Sequence, residues 1–203
     1  YAYIPNAIDP EEVRFDRERR DTVRKEMGWE GKKVLGNVAR LHPQKNQSFL
    51  LESLAPLLKK DSTFQLVLVG DGILRDDLQQ QAEELEIRHK VEFLGLRADV
   101  KDLYQGMDVF LLPSEYEGVS MSFLEAQANG LPCLISDTLS DEGIVNGSVQ
   151  KLPIDASGAQ AWRSAVQDLS SDNSMRGLTA LRGSAYDIHV QVQNLQSRLS
   201  QKS

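Results

Sequence analysis

One pattern governs what this chain can become: a short apolar run, a turn, then an amphipathic stretch, repeated along most of its length. VLGNVA (34–39), FQLVLVG (64–70), VEFLG (91–95), DVFLLP (108–113) and PCLIS (132–136) read as strands. Between them QSFLLESLAPLLKK (47–60, despite Pro56), LRDDLQQQAEELEI (74–87), ADVKDLYQGM (98–107) and a stretch opening after Ser120 read as helices. Near-continuous apolar strands belong to a parallel sheet covered on both faces, and right-handed crossovers then send the helices to either side. The expected fold is therefore α/β, a doubly wound parallel sheet. A weaker strand at VQKLPI (149–154), a helix through AQAWRSAVQDLSS (159–171) and a C-terminal helix from Asp187 to Gln201 complete the reading.

Sheets of this kind bind ligands outside the carboxyl ends of their strands. Four loops fall there: 40–46, 70–72, 95–97 and 113–120. The richest is PSEYEGVSMSFLEAQANGLP, from Pro113 to Pro132, which sets Glu117 and Glu125 eight positions apart with Gly118 and Ser120 between them. With Ser120 as N-cap, Glu125 stands roughly 7 Å along the helix from it at ~1.5 Å per residue. The backbone N–H groups of Gly118, Val119, Ser120 and Met121 then sit at a helix N-terminus, where a diphosphate is favoured. A carboxylate one turn in can accept two hydrogen bonds from a ribose diol. The plain alternatives are an exposed helix carboxylate at Glu125 and a loop charge at Glu117. Arg40 and Lys45, at another strand end, could neutralise a diphosphate, although by residue type alone they read first as solvated loop cations. Gly70-Asp71-Gly72 is a tight turn after a strand. It has neither the third glycine of a dinucleotide fingerprint nor the G-K-[ST] of a P-loop.

Composition removes other classes. A net charge of −7 with the cations scattered argues against nucleic acid as a partner. A single cysteine, Cys133, excludes an internal disulfide framework, fits a reducing cytoplasm and reads as a small buried filler. His42, His89 and His189 lie far apart, so no metal site is expected. No apolar run approaches the ~20 residues of a membrane-spanning helix. The opening YAYIPNAIDPEE lacks a basic stretch followed by an apolar one, so no signal peptide is expected either. Residues 1–12 look instead like a linker arriving from an earlier domain.

VARLHPQKN, LVLVGDG, VEFLG and above all PSEYEGVSMSFLEAQANGLPCLIS together resemble the C-terminal domain of family-4 (group 1) retaining glycosyltransferases, from about Ile4 to Ser136 and more loosely beyond. The resemblance implies the Rossmann-like donor half of a GT-B architecture. A sugar would pass from a nucleoside diphosphate, UDP-linked, to a glycan or lipid-linked acceptor, without metal or other cofactor. It assigns Arg40 and Lys45 to the leaving diphosphate, Glu125 to the ribose and Glu117 to the sugar and the reacting centre. Gly70 becomes a pocket wall, and Leu96 and Arg97 border the nucleobase. Val119, Ser120 and Met121 depart from the Phe and second Gly that many members carry after E-G. TLSDEGIVNGSVQKLP replaces a glycine-rich turn and acidic loop. This variant looks like the bacterial exopolysaccharide and capsule subset.

The resemblance further implies an absent N-terminal, acceptor-binding half, a cytoplasmic location at the inner face of the membrane, and peripheral attachment through that half. The C-terminal helix, about 185–203, would either cross to it or pack on its own domain. Two other readings stay open: a nucleotide-sugar-binding module without chemistry, and a nucleotide-sugar 2-epimerase on the same architecture.

Overall fold

The computed structural model describes residues 5–169, 176 and 181–200. Six strands form one all-parallel sheet: β1 (Lys33–Val38), β2 (Phe64–Val69), β3 (Val91–Gly95), β4 (Val109–Leu112), β5 (Cys133–Ser136) and β6 (Val149–Leu152). Their order is β3-β2-β1-β4-β5-β6. The sheet thus grows outward from β1 to one edge and then from β4 to the other, the doubly wound arrangement expected of the strand pattern. Among the helices, α2 (Gln47–Lys60), α3 (Arg75–Glu84) and α6 (Gly158–Gln167) cover one face. There Leu50, Leu54, Leu58, Leu78 and Trp162 form one core with Leu35, Leu66 and Leu111 of the strands. On the other face α4 (Val100–Gly106) and α5 (Met121–Ala128) enclose Val34, Val67, Tyr104, Phe110, Phe123 and Cys133. Burial of this extent is the dominant favourable term in holding the layers together. Pro56 interrupts α2 only on its exposed face, and the helix runs on to Lys60.

One element is new relative to the sequence reading. A helix, α1 (Arg17–Glu26), precedes β1. Its sequence RERRDTVRKE shows no apolar stripe, and Val23 is its one buried apolar residue. Asp16 caps it, accepting from Arg19 N–H at 2.9 Å, and two arginines secure it from below. Arg20 and Arg24 reach Asp108, at 2.5 and 3.1 Å, on the turn into β4. The opening segment, described from Pro5, packs on the domain. Ile8 and Val13 are buried with Leu124 and Ala128, and Ile8 bridges in parallel to Asp187. The C-terminal helix, α7 (Ile188–Ser200), begins at that bridge and leaves Ile188, Val192, Leu195 and Leu199 exposed. Expected elements at Ile4, Ser170–Ser171 and Gln201 fall outside the described residues.

Candidate functional site

The strand order reverses between β1 and β4, and a crevice at a doubly wound sheet forms beyond such a reversal. Two loops meet there, 39–46 after β1 and 113–120 after β4. Pro43 opens a short 3-10 turn behind His42, and Asn46 takes a left-handed conformation (φ 52°) that redirects the chain into α2. Backbone and side chains then stitch the loops together. Glu115 N–H donates to the Gln44 carbonyl at 2.9 Å, and the Gln44 amide donates to the Tyr116 carbonyl at 2.8 Å. Beneath them Asn37 donates to the Leu111 carbonyl at 2.8 Å, and Gln47 donates to the Arg40 carbonyl at 3.0 Å. His42 and Gln44 are half-buried because they belong to this seam.

Beyond the seam opens a cavity of ≈ 520 Å³. It collects, from four loops, Arg40, Lys45, Gly70, Leu96, Arg97, Glu117, Ser120 and Met121. Three of the expected site residues lie outside its wall. Val119 gives its carbonyl to the Asn6 amide at 3.1 Å, and Gly118 sits across the turn, toward Leu139 and Ser140. Glu125 stands one helical turn behind Ser122, a cavity residue. Sequence reasoning missed Val100 and Ser122 in the wall, Ser114 and Gln44 behind it, and Tyr104 beside it. Tyr104 follows Val100 and Leu103 at helical spacing, so its pattern reads as core, and nothing but the phenol hints otherwise.

Gly70 has a requirement of its own. Its φ of +129° is closed to side chains, and a Cβ there would stand 2.0 Å from the Ala39 carbonyl oxygen. The close approach brings the ends of β1 and β2 together at the cavity floor, with Gly70 N–H donating to the Gly95 carbonyl at 2.8 Å.

The charges divide into spent and unspent. Lys45 is paired with Glu117, whose Oε1 also accepts from Ser114 Oγ at 2.7 Å. That pair is mostly buried, with 17% and 10% of the two side chains exposed, so neither partner swings freely. Arg97 is held by Asp99 through two bonds of 2.7 and 2.6 Å, which keep the Asp99 carboxyl below the usual range. Arg40 is exposed and, among the described residues, meets no carboxylate.

The N-terminus of α5 is unspent too. Ser120 occupies the cap position, yet its hydroxyl meets Ser122 Oγ at 3.1 Å instead of returning to the helix. Among the described residues the backbone N–H groups of Gly118 to Phe123 reach no protein acceptor. A free cation and a free helix end on one concavity form an anion site. Glu125 is half-buried and its pKa is raised, first by burial; the Tyr104 O–H, at 3.0 Å from Oε2, and Lys101 work against that rise. Cys133 is buried, its thiol pushed up by desolvation.

Among the described residues no cluster of three or more His, Cys, Asp or Glu could hold a metal ion, and no helix is long and apolar enough to cross a membrane.

Comparison with known proteins agrees with this geometry. The family model described as glycosyl transferases group 1 matches residues 19–180. EpsF of Bacillus subtilis (strain 168), named as a glycosyltransferase, is 38% identical over 140 residues, which cover 68% of this chain and 36% of that protein. The UDP-Gal:alpha-D-GlcNAc-diphosphoundecaprenol alpha-1,3-galactosyltransferase of Escherichia coli is 30% identical over 175 residues, 83% of this chain and 45% of that one. The chain thus spans less than half the length of these relatives. The crystal structure of Anabaena Alr3699/HepE in complex with UDP has the same fold, with a TM-score of 0.79 at 24% identity over 98% of this chain and 57% of that one. With its six parallel strands, its flanking helices and this match over most of its length, the chain belongs to the glycosyl transferases group 1 family.

Proposed function

We propose that the chain is the donor-binding part of a retaining glycosyltransferase that uses a nucleoside diphosphate sugar, UDP-linked, to extend a glycan or lipid-linked acceptor in surface polysaccharide synthesis. The observation that carries the reading is the pairing of Arg40, a cation that meets no carboxylate among the described residues, with the open N-terminus of α5 across one cavity. A diphosphate laid there meets a guanidinium on one side and free N–H groups on the other. The charge that develops on it as the sugar bond breaks is stabilised by groups already in place. Lys45 adds positive charge while fixing Glu117 at the cavity wall, where the carboxylate faces the sugar. Leu96 and Arg97 border the base, Gly70 forms the floor, and Glu125 receives the ribose from its place beside the cavity. The leaving group then departs without a divalent metal. The name of the Escherichia coli relative, with its UDP-linked donor and lipid-linked acceptor, favours these choices over a binding module without chemistry.

Calorimetric titration of the chain with UDP, GDP and ADP, with and without chelator, tests the reading. UDP should bind best and indifferently to chelator. Arg40→Ala should weaken it at least about tenfold, the loss of one charge-assisted pair. An Arg40→Ala variant that binds UDP as tightly as the parent sinks the assignment.

A further inference from the structure

We propose that Tyr104, a core residue of α4, is a positioning residue for nucleotide recognition: its phenol holds one oxygen of Glu125 so that the other is left for the ribose of the donor. This deepens the donor reading above and rests on it. Tyr104 is fully buried, yet its hydroxyl emerges at the contact between α4 and α5, 3.0 Å from Glu125 Oε2 and 3.3 Å from the Ser122 carbonyl. Among the described residues Oε1 of the same carboxylate accepts no hydrogen bond.

The two side chains stand in register with the cavity. Val100 and Ser122 line it, and Tyr104 and Glu125 follow them by four and three positions, each pair on one helix face. A carboxylate on a helix surface ordinarily samples several rotamers. Here the phenol selects one, and rotamer entropy is settled before the ligand arrives. The contact also favours the ionised form, the stronger acceptor for the ribose hydroxyls. Lys101 of α4 supports ionisation, whereas Glu12 of the opening segment and burial oppose it.

The test is a set of NMR titrations of the 203-residue chain, which read affinities into the millimolar range, with UDP and 2′-deoxy-UDP. They compare the parent, Tyr104→Phe, Glu125→Gln and the double variant between about pH 5 and 8. Tyr104→Phe keeps the buried ring. It should weaken UDP by about three- to tenfold, less than the loss of a whole hydrogen bond to a charged group because the Glu125 carboxylate itself remains, and leave 2′-deoxy-UDP nearly unchanged. The double variant should bind no worse than Glu125→Gln. Without the phenol the Glu125 pKa climbs further, so the acid-side loss of UDP binding should move to higher pH in Tyr104→Phe, a shift that a purely structural tyrosine would not cause.

If Tyr104→Phe keeps the parent's preference for UDP and its pH midpoint while Glu125→Gln loses that preference, the positioning role is overturned. If Glu125→Gln itself keeps the preference, or the parent binds neither nucleotide, the donor assignment falls and the inference with it. Should Tyr104→Phe unfold, the hydroxyl proton of Tyr104 in the parent decides. It should exchange slowly and shift on adding UDP more than on adding 2′-deoxy-UDP, and equal shifts refute the proposal.

Discussion

Replacing Asp108 by Ala should cost this domain more than any substitution at an exposed ion pair. Asp108 sits at the turn into β4 and accepts three hydrogen bonds: from Arg20 at 2.5 Å, from Arg24 at 3.1 Å and from the backbone N–H of Val34 at 2.7 Å. At about 1.5 kcal/mol or more for each bond to a charged acceptor, the gross loss exceeds 4 kcal/mol. Part of it is recovered, because Arg20 keeps the carbonyls of Gln105 and Met107, and Arg24 keeps those of Gly106 and Trp29. What remains uncompensated is two nearly buried guanidinium charges, for which roughly 3–5 kcal/mol is the usual cost. In a chain of this length each kcal/mol lowers Tm by about 2–4 °C, so a drop on the order of 10 °C is expected. Urea and thermal melts followed by circular dichroism read both quantities. The matched control is Asp102→Ala, which breaks the Arg19 pair at 2.5 Å; its side chains are 44% and 36% exposed, against 10% and 16% for Arg20 and Asp108. That control should lose less than about 1 kcal/mol. Equal losses for the two variants would refute the argument that burial, and not charge pairing as such, sets the cost.

Two further substitutions probe other parts of the fold. Gly70→Ala should destabilise by at least about 2 kcal/mol in the same melts, since the backbone there suits glycine alone and the new methyl meets the Ala39 carbonyl; a neutral result would show that the floor of the cavity yields. Glu92, half-buried against the Trp29 indole with its pKa raised by burial, is costlier to ionise folded than unfolded. Its effect on stability is absent below the ordinary glutamate value and grows as pH rises through the folded pKa. Glu92→Gln should therefore melt higher than the parent at neutral pH and equally in acid, and a gap that is independent of pH would contradict this.

The strands and most helices were legible because each buries an apolar face, and burial leaves a period in the sequence. VEFLG and QSFLLESLAPLLKK coincide with β3 and α2 to the residue. Helix α1 left no such trace. It is fastened by arginines that reach carbonyls and a carboxylate more than eighty positions away, and RERRDTVRKE has a single apolar residue, Val23, so its Asp16 cap and its Asp21–Lys25 spacing were the only local signals of a helix. At the site, loop position was legible from topology, and eight of the expected residues share the cavity. Partnership was not legible. Arg40 and Lys45 read as equivalent cations, yet among the described residues one meets no carboxylate and the other is bound to Glu117, a difference set by Ser114 and by how the two loops cross. The partner expected for a buried Glu125 was a ribose; the structure supplies Tyr104 from a helix whose spacing signals only core.

The junction beneath the cavity has a dynamic consequence. β1 and β2 pair at six positions, whereas β1 and β4 pair at only two, Leu35 with Val109 and Gly36 with Phe110. The rest of that border is closed by side chains and loops: Asp108 at one end, then Asn37, Gln44 and the Lys45–Glu117 pair toward the other. Stability in a protein is distributed unevenly, and a border with few ladder bonds is where a sub-global opening costs least. Amide hydrogens flanking this border should then exchange sooner than those of β2, and the sheet would part into β3-β2-β1 and β4-β5-β6. Any molecule that touches Arg40 on one flank and the start of α5 on the other acts as a clasp across the line of least cohesion, so occupancy of the cleft would be felt as slowed exchange along the whole seam.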